Sequence, residues 1–171
     1  MNKFAITAAA MLMAAPAFAQ EADASADTME AMEVSAPTGD AAAGEEQFNR
    51  QCVACHVVKD EDGETLAGRN ARTGPNLYAI AGKPKGSVEG FKYSKSLATL
   101  GEEKGLAWDE ASFVAYVQDP TGYLKEVLDD SKARGKMAFK VRSEEDATNL
   151  YAYLYSLAPP AMEEGDAAAT N

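Results

Sequence analysis

The chain has 171 residues, with 27 acidic side chains, 16 basic ones and a formal net charge of −11. That length accommodates one modest domain plus tails. Two cysteines and one histidine exclude a disulfide scaffold and leave few residues able to bind a transition metal.

The N-terminus reads MNKFAITAAAMLMAAPAFAQ. Lys3 supplies a positive start, Phe4 to Ala15 an apolar run, and Ala17-Phe18-Ala19 a small-residue cleavage site, the layout of a secretory signal peptide over residues 1–19. The run is short beside the roughly 20 apolar residues of a membrane-spanning helix, which leaves an uncleaved membrane anchor as the alternative. Residues 20–43 are rich in Ala, Asp, Glu and Thr and lack aromatic residues. They are expected to form a disordered acidic tail, because they offer too little apolar surface to offset ordering entropy. Residues 159–171 read the same way.

The acidity is concentrated outside the central region. Every Lys and Arg after Lys3 lies between Arg50 and Arg142, fifteen in all, against sixteen acidic residues from Asp60 to Asp146. The domain is therefore nearly neutral, and the overall charge says little about its binding face. Nucleic acid is not an expected partner.

Asp40 predicts the N-cap of a first helix running to Gln51. From Val57 to Pro75 the chain is turn-rich, and "NLYAIAG" predicts a short helix ending at Gly82. A loop leads to a helix over 94–104, closed by Gly105. Asp109 starts another helix, with Phe113, Tyr116 and Val117 on one face and Pro120 at its end. "TGYLKEVLDD" predicts a short helix, and "SKARGKMAFKV" an irregular segment. Ser143 and Asp146 form a capping-box-like pair that opens the last helix, stopped by Pro159-Pro160. No alternating strand pattern competes, so the expected class is all-α. Helices this short, joined by loops this long, require something other than helix packing at the centre.

Cys52, Cys55 and His56 stand together in "CVACH". The C-x-x-C-H pattern is a covalent haem attachment motif. Two thiols at this spacing can add to the two vinyl groups of a porphyrin, and the adjacent imidazole can bind the iron. A thiol-disulfide redox pair needs alternating strands and helices, which the pattern lacks. A zinc site needs four ligands, and two Cys with one His fall short. Haem c is the cofactor this leaves, one per chain, attached through Cys52 and Cys55.

With a single histidine, the second axial position cannot be an imidazole. Met1, Met11 and Met13 lie in the leader, Met29 and Met32 in the acidic tail, and Met162 beyond the last helix. Met137 alone falls inside the domain, in an irregular segment among cations. His56 and Met137 are thus the candidate metal ligands. A thioether favours the reduced metal and raises the potential. Filling both axial positions leaves no place for a substrate, which points to an electron carrier and away from an enzyme.

The stretches "GDAAAGEEQFNRQCVACH", "TGPNLY", "GFKYS", "GLAWDE", "YVQDP", "GKMAFK" and "LYAYLYSL" together resemble the class I cytochromes c, and most closely the bacterial cytochrome c2 type. The resemblance spans roughly residues 39–158 and implies a domain over 44–158, folded around one haem. It implies that Gly44 and Phe48 pack against the last helix near Tyr153. It implies that Pro75 accepts a hydrogen bond from the haem histidine, that Tyr93 and Trp108 bond a buried propionate, and that Tyr116 lies near the methionine. One departure is "GK" at Gly82-Lys83, where the family commonly carries Gly-Arg.

The resemblance further implies an exposed haem edge beside the methionine, so that Lys132, Arg134, Lys136, Lys140 and Arg142 would steer an acidic partner into place. The implied role is a monomeric periplasmic one-electron shuttle. It would run from a cytochrome bc1 complex to a photosynthetic reaction centre, a terminal cytochrome oxidase or both. The rival readings are a haem enzyme or gas-binding cytochrome with a labile Met137, and a carrier tethered to the membrane by its N-terminus.

Overall fold

A computed structural model of the protein describes residues 34–160. The leader over 1–19, the acidic tail up to residue 33 and the end of the C-terminal tail lie outside the described residues. Five helices and one small hairpin follow in order: α1 Ala41–Gln51, β1 Val57–Lys59, β2 Thr65–Gly68, α2 Lys95–Glu102, α3 Glu110–Gln118, α4 Pro120–Leu128 and α5 Glu144–Leu157.

Each helix starts where a short polar side chain can take a free amide. Asp40 accepts from the amides of Ala42 and Ala43, Ser94 from Leu97, Asp109 from Ser112, Asp119 from Gly122 and Ser143 from Asp146. Pro120 ends α3 by opening α4, since its missing N–H costs nothing at a first helical position. Glu144, Glu145 and Asp146 place negative charge on the first turn of α5, where the helix dipole favours it.

The frame of the molecule is the crossing of α1 and α5. Gly44 lies so close to α5 that a Cβ there would run into the Asn149 carbonyl and come within 2.8 Å of the Tyr153 Cβ. The missing side chain lets Phe48 reach Tyr153, with ring centroids 5.7 Å apart, as expected. Phe48, Leu100, Leu124, Tyr151 and Leu154 are fully buried, and each aliphatic or phenyl group of this kind stabilises the fold by about 1.5–3 kcal/mol.

Three features depart from the expectation. First, residues 34–43 are not all tail: Ala41–Ala43 belong to α1, as the helix expected from Asp40 requires, and Val34 packs on the core. Thr38 donates from its amide and hydroxyl to the Glu110 carboxylate, and the Asp40 amide donates to Asn149. Second, β1 and β2 pair in an antiparallel hairpin turned at Asp60–Glu64, with Gly63 at φ +87°. Asp-Gly is a turn signal, but strands of three and four residues carry too little alternation to read in sequence.

Third, residues 76–82 form turns instead of a helix. Ala79 sits at φ +51° and Gly82 at φ +75°, and one left-handed residue suffices to stop helical winding. Asn76 explains the choice: its side chain accepts from the Lys59 amide at 2.9 Å and donates to the Lys59 carbonyl at 2.6 Å. Those bonds tie the segment to β1. None of the helices among the described residues is long and apolar enough to cross a membrane.

Candidate functional site

The Cys-His cluster winds one tight turn directly off α1. The Cys55 and His56 amides both donate to the Cys52 carbonyl, at 3.0 and 2.9 Å, so the two sulfurs emerge one turn apart from a fixed backbone. Neither cysteine is in a disulfide. Burial, reinforced by Cys55, pushes the Cys52 thiol up to about 11, the opposite of the lowered value a thiol-exchange nucleophile needs.

His56 is clamped from behind. Its Nδ1 lies 3.0 Å from the Pro75 carbonyl, which can only accept, so Nδ1 carries the proton and Nε2 keeps its lone pair. Burial lowers the histidine's basicity, which favours the neutral ring a metal requires. Gly74, before the proline, presses flat against the imidazole, and a Cβ there would collide with the ring. The Gly74 amide donates to the Cys55 carbonyl at 2.7 Å and closes the clamp.

These groups form one wall of an interior cavity of about 400 Å³, within the range of cofactor sites. All eight candidate cofactor residues line it: Cys52, Cys55, His56, Pro75, Tyr93, Trp108, Tyr116 and Met137. Met137 is partly buried against the core, while its neighbours Lys136 and Ala138 are exposed. The two phenols are held as neutral donors. Burial raises Tyr93 to about 12, and burial together with Tyr93 raises Tyr116 to about 12.

The donor set suits a haem. An unprotonated imidazole nitrogen and a thioether share an apolar chamber with two thiols one turn apart, and neutral hydroxyls lie beside them. A group filling a chamber of this volume would also explain how helices of eight to fourteen residues enclose a stable centre.

The basic side chains are arranged less evenly than the sequence suggests. Lys132, Arg134, Lys136, Lys140 and Arg142 are all exposed. The segment that carries them is pinned to its neighbours: the Arg134 amide donates to Ser96 at 3.1 Å, Lys136 Nζ to the Lys92 carbonyl, and the Gly135 amide to Thr121 at 3.4 Å. Lys140, however, pairs with Asp119 at 2.9 Å, so part of its charge is answered within the chain.

Two residues at the site escape sequence reasoning. Phe139 lines the cavity yet is 44% exposed, an apolar group at the rim beside the cations. Its position two residues after Met137 was the available signal. Lys85 is buried against Trp108, and nothing in its local sequence distinguishes it from the other lysines.

Comparison with known proteins decides the family. The cytochrome c family model matches residues 41–158. The chain belongs to the cytochrome c family. A cytochrome c2 of Rhodovulum adriaticum is 62% identical over 120 residues, covering 70% of this chain and 94% of that protein. A cytochrome c2 of Cereibacter sphaeroides is 48% identical over 155 residues, covering 90% and 94%. Among solved structures, cytochrome c2 from Rhodobacter sphaeroides superposes with a TM-score of 0.68 at 53% identity, covering 70% of this chain and 97% of that one. The protein is thus a class I c-type cytochrome of the bacterial c2 type and an electron carrier, with the helical fold of that class plus a two-stranded hairpin. The family implies covalent haem c, and the two cysteines present suit it.

Proposed function

We propose that this cytochrome is a periplasmic one-electron carrier whose single haem is attached through Cys52 and Cys55 and ligated by His56 and Met137. The bound haem supplies a one-electron ferric/ferrous couple. His56 presents Nε2 because Pro75 holds the proton on Nδ1. Met137 supplies a soft ligand that favours the reduced state. Tyr93 and Tyr116 remain protonated at neutral pH and can donate without bringing negative charge. The observation that carries the reading is the convergence of Cys52, Cys55, His56 and Met137, from segments some eighty residues apart, on one cavity.

The carrier takes electrons from a cytochrome bc1 complex and delivers them to a photosynthetic reaction centre, a terminal oxidase or both. It docks as a monomer through the exposed cations of the Met137 segment. Residues 1–19 direct export and are removed, leaving Gln20 as the first residue of a tail that ends where Val34 joins the fold. Mass spectrometry of the mature protein checks this. A start at Met1 would favour a tethered form.

Ligation is tested by Met137→Ala. The substitution is expected to lower the midpoint potential and to let carbon monoxide bind the reduced protein readily at neutral pH, while the parent excludes it. A variant that keeps the parental potential refutes Met137 as a ligand. A parent that binds carbon monoxide freely would support the labile-ligand reading instead.

A further inference from the structure

Behind the cavity wall lies a charge for which the proposed function has not accounted. Lys85 is only 2% exposed. Its Nζ sits over the Trp108 ring, 4.7 Å from the centroid, and donates to the Ala107 carbonyl. Trp108 is itself buried and lines the cavity. Lys85 does not line it, so the indole stands between the ammonium and the chamber.

The placement is built from the backbone. Residues 82–85 run alongside 106–108: the Gly82 amide donates to the Trp108 carbonyl at 2.8 Å, the Trp108 amide to the Lys83 carbonyl at 3.0 Å, and the Lys85 amide to the Leu106 carbonyl at 2.8 Å. Helix α2 covers this strap so closely that a Cβ on Gly101 would run into the Lys85 carbonyl. The side chain cannot swing to water without opening that seam. Lys83, two residues earlier, is only half-buried.

Burying a lysine is costly, and most proteins avoid it unless a carboxylate pairs with the ammonium. Among the described residues, no carboxylate forms an ion pair with Lys85. Burial lowers the basicity of the amine from its ordinary value, and the nearby Asp109 opposes that shift without reversing it. A carbonyl and an aromatic face stabilise the cation without cancelling its charge. The positive field therefore remains, offset only in part by Asp109, against the residue that walls the redox site.

We infer that Lys85 is a fixed buried cation that raises the reduction potential of the site through Trp108. A positive charge disfavours the oxidised centre, which carries one more unit of positive charge than the reduced one. Lys85 is accordingly a positioning residue for the field. The inference rests on the proposed haem function, since it needs a one-electron centre in the cavity.

The test is spectroelectrochemical titration of the intact holoprotein bearing Lys85→Met, which keeps the apolar stem and removes the charge. At a fixed ambient potential the ratio of reduced to oxidised protein is expected to fall by about three- to tenfold, the scale of a charge interaction screened by a protein interior. The shift persists in high salt because a buried charge is poorly screened, while Lys83→Met gives a smaller shift that salt removes. Lys85→Arg, which keeps the charge, retains the parental potential. Lys85→Gln repeats the measurement with a second neutral side chain.

Parental potentials in both neutral variants, with the parental absorption spectrum, overturn the inference. An equally large shift in Lys85→Arg also overturns it, because geometry and not charge would then be responsible. The outcome is separable from the ligation question. Loss of Met137 ligation alters the spectrum, whereas removal of the Lys85 charge leaves it unchanged.

Discussion

The two walls of the haem cavity are built on opposite plans. On the His56 side, the turn grows out of α1, which is locked to α5 at Gly44, and the imidazole is fixed by Gly74 and Pro75. On the Met137 side the backbone is irregular, most side chains are exposed, and a few bonds to Ser96, Lys92 and Thr121 hold the segment. The first wall is half-buried and braced by its own bonds and by the α1–α5 crossing. The second is a surface that happens to carry one inward-facing sulfur. Under the proposed ligation, a ligand on a braced wall is set by folding, and a ligand on a surface segment depends on local bonds. Under the proposed function, the contrast puts the docking charges beside the more yielding of the two ligands.

The comparison breaks most readily at its rigid side. Gly74→Ala sets a methyl into the imidazole, and the backbone that would have to move is bonded to Cys55 and Pro75. The expected loss is about 3 kcal/mol in denaturant unfolding of the holoprotein, the upper end for overpacking. A loss under ~0.5 kcal/mol would show that this wall yields as easily as the other.

A smaller effect is expected at the start of α5. Ser143→Ala leaves the Asp146 amide without its partner and should cost about 1 kcal/mol by the same measurement. Ser143→Asp should restore most of it. An unchanged stability would mean that the α1–α5 crossing does not depend on this cap.

The cations on the yielding side sharpen the contrast in a different way. Association with an acidic partner protein at low salt should slow by severalfold on Lys132→Gln, and by less on Lys140→Gln because Asp119 already answers that charge. Both effects should fade as ionic strength rises. A larger loss at Lys140, or a flat salt profile, would remove the case for docking through this segment.

The smallest effect concerns pH. The bond from Lys140, aided by the Gly122 amide, holds the Asp119 carboxyl below its ordinary value of 3.8. Because the folded value is depressed, the stabilisation is fully present above pH 3.8 and is lost as pH falls further, through the folded value. Asp119→Asn should therefore flatten the acid limb of the stability profile slightly and leave the neutral region's slope unchanged. An altered slope near pH 7 would contradict the assignment.

Much of the site was legible because its chemistry is carried by scarce residues. One histidine, two cysteines and a single methionine within the domain left little freedom, and all four reach the same cavity. The helix starts at Asp40, Ser94, Asp109 and Ser143 were equally readable, since capping is local chemistry. The hairpin, the turns over 76–82 and the inclusion of Val34 and Thr38 were not. Each depends on a partner distant in sequence: Asn76 on Lys59, Thr38 on Glu110. Lys85 belongs with these, because its burial is created by Ala107, Trp108 and helix α2 and not by its neighbours in the chain.

Proton NMR of the reduced holoprotein tests the central claim most directly. The methyl group of a methionine whose sulfur binds the iron would feel the porphyrin ring current, which would shift it strongly upfield. The account predicts one three-proton resonance far upfield of the protein envelope, absent in Met137→Ala. Methionine methyl signals that all fall in the ordinary range would contradict ligation by Met137, and with it the division between a fixed histidine wall and a yielding methionine wall.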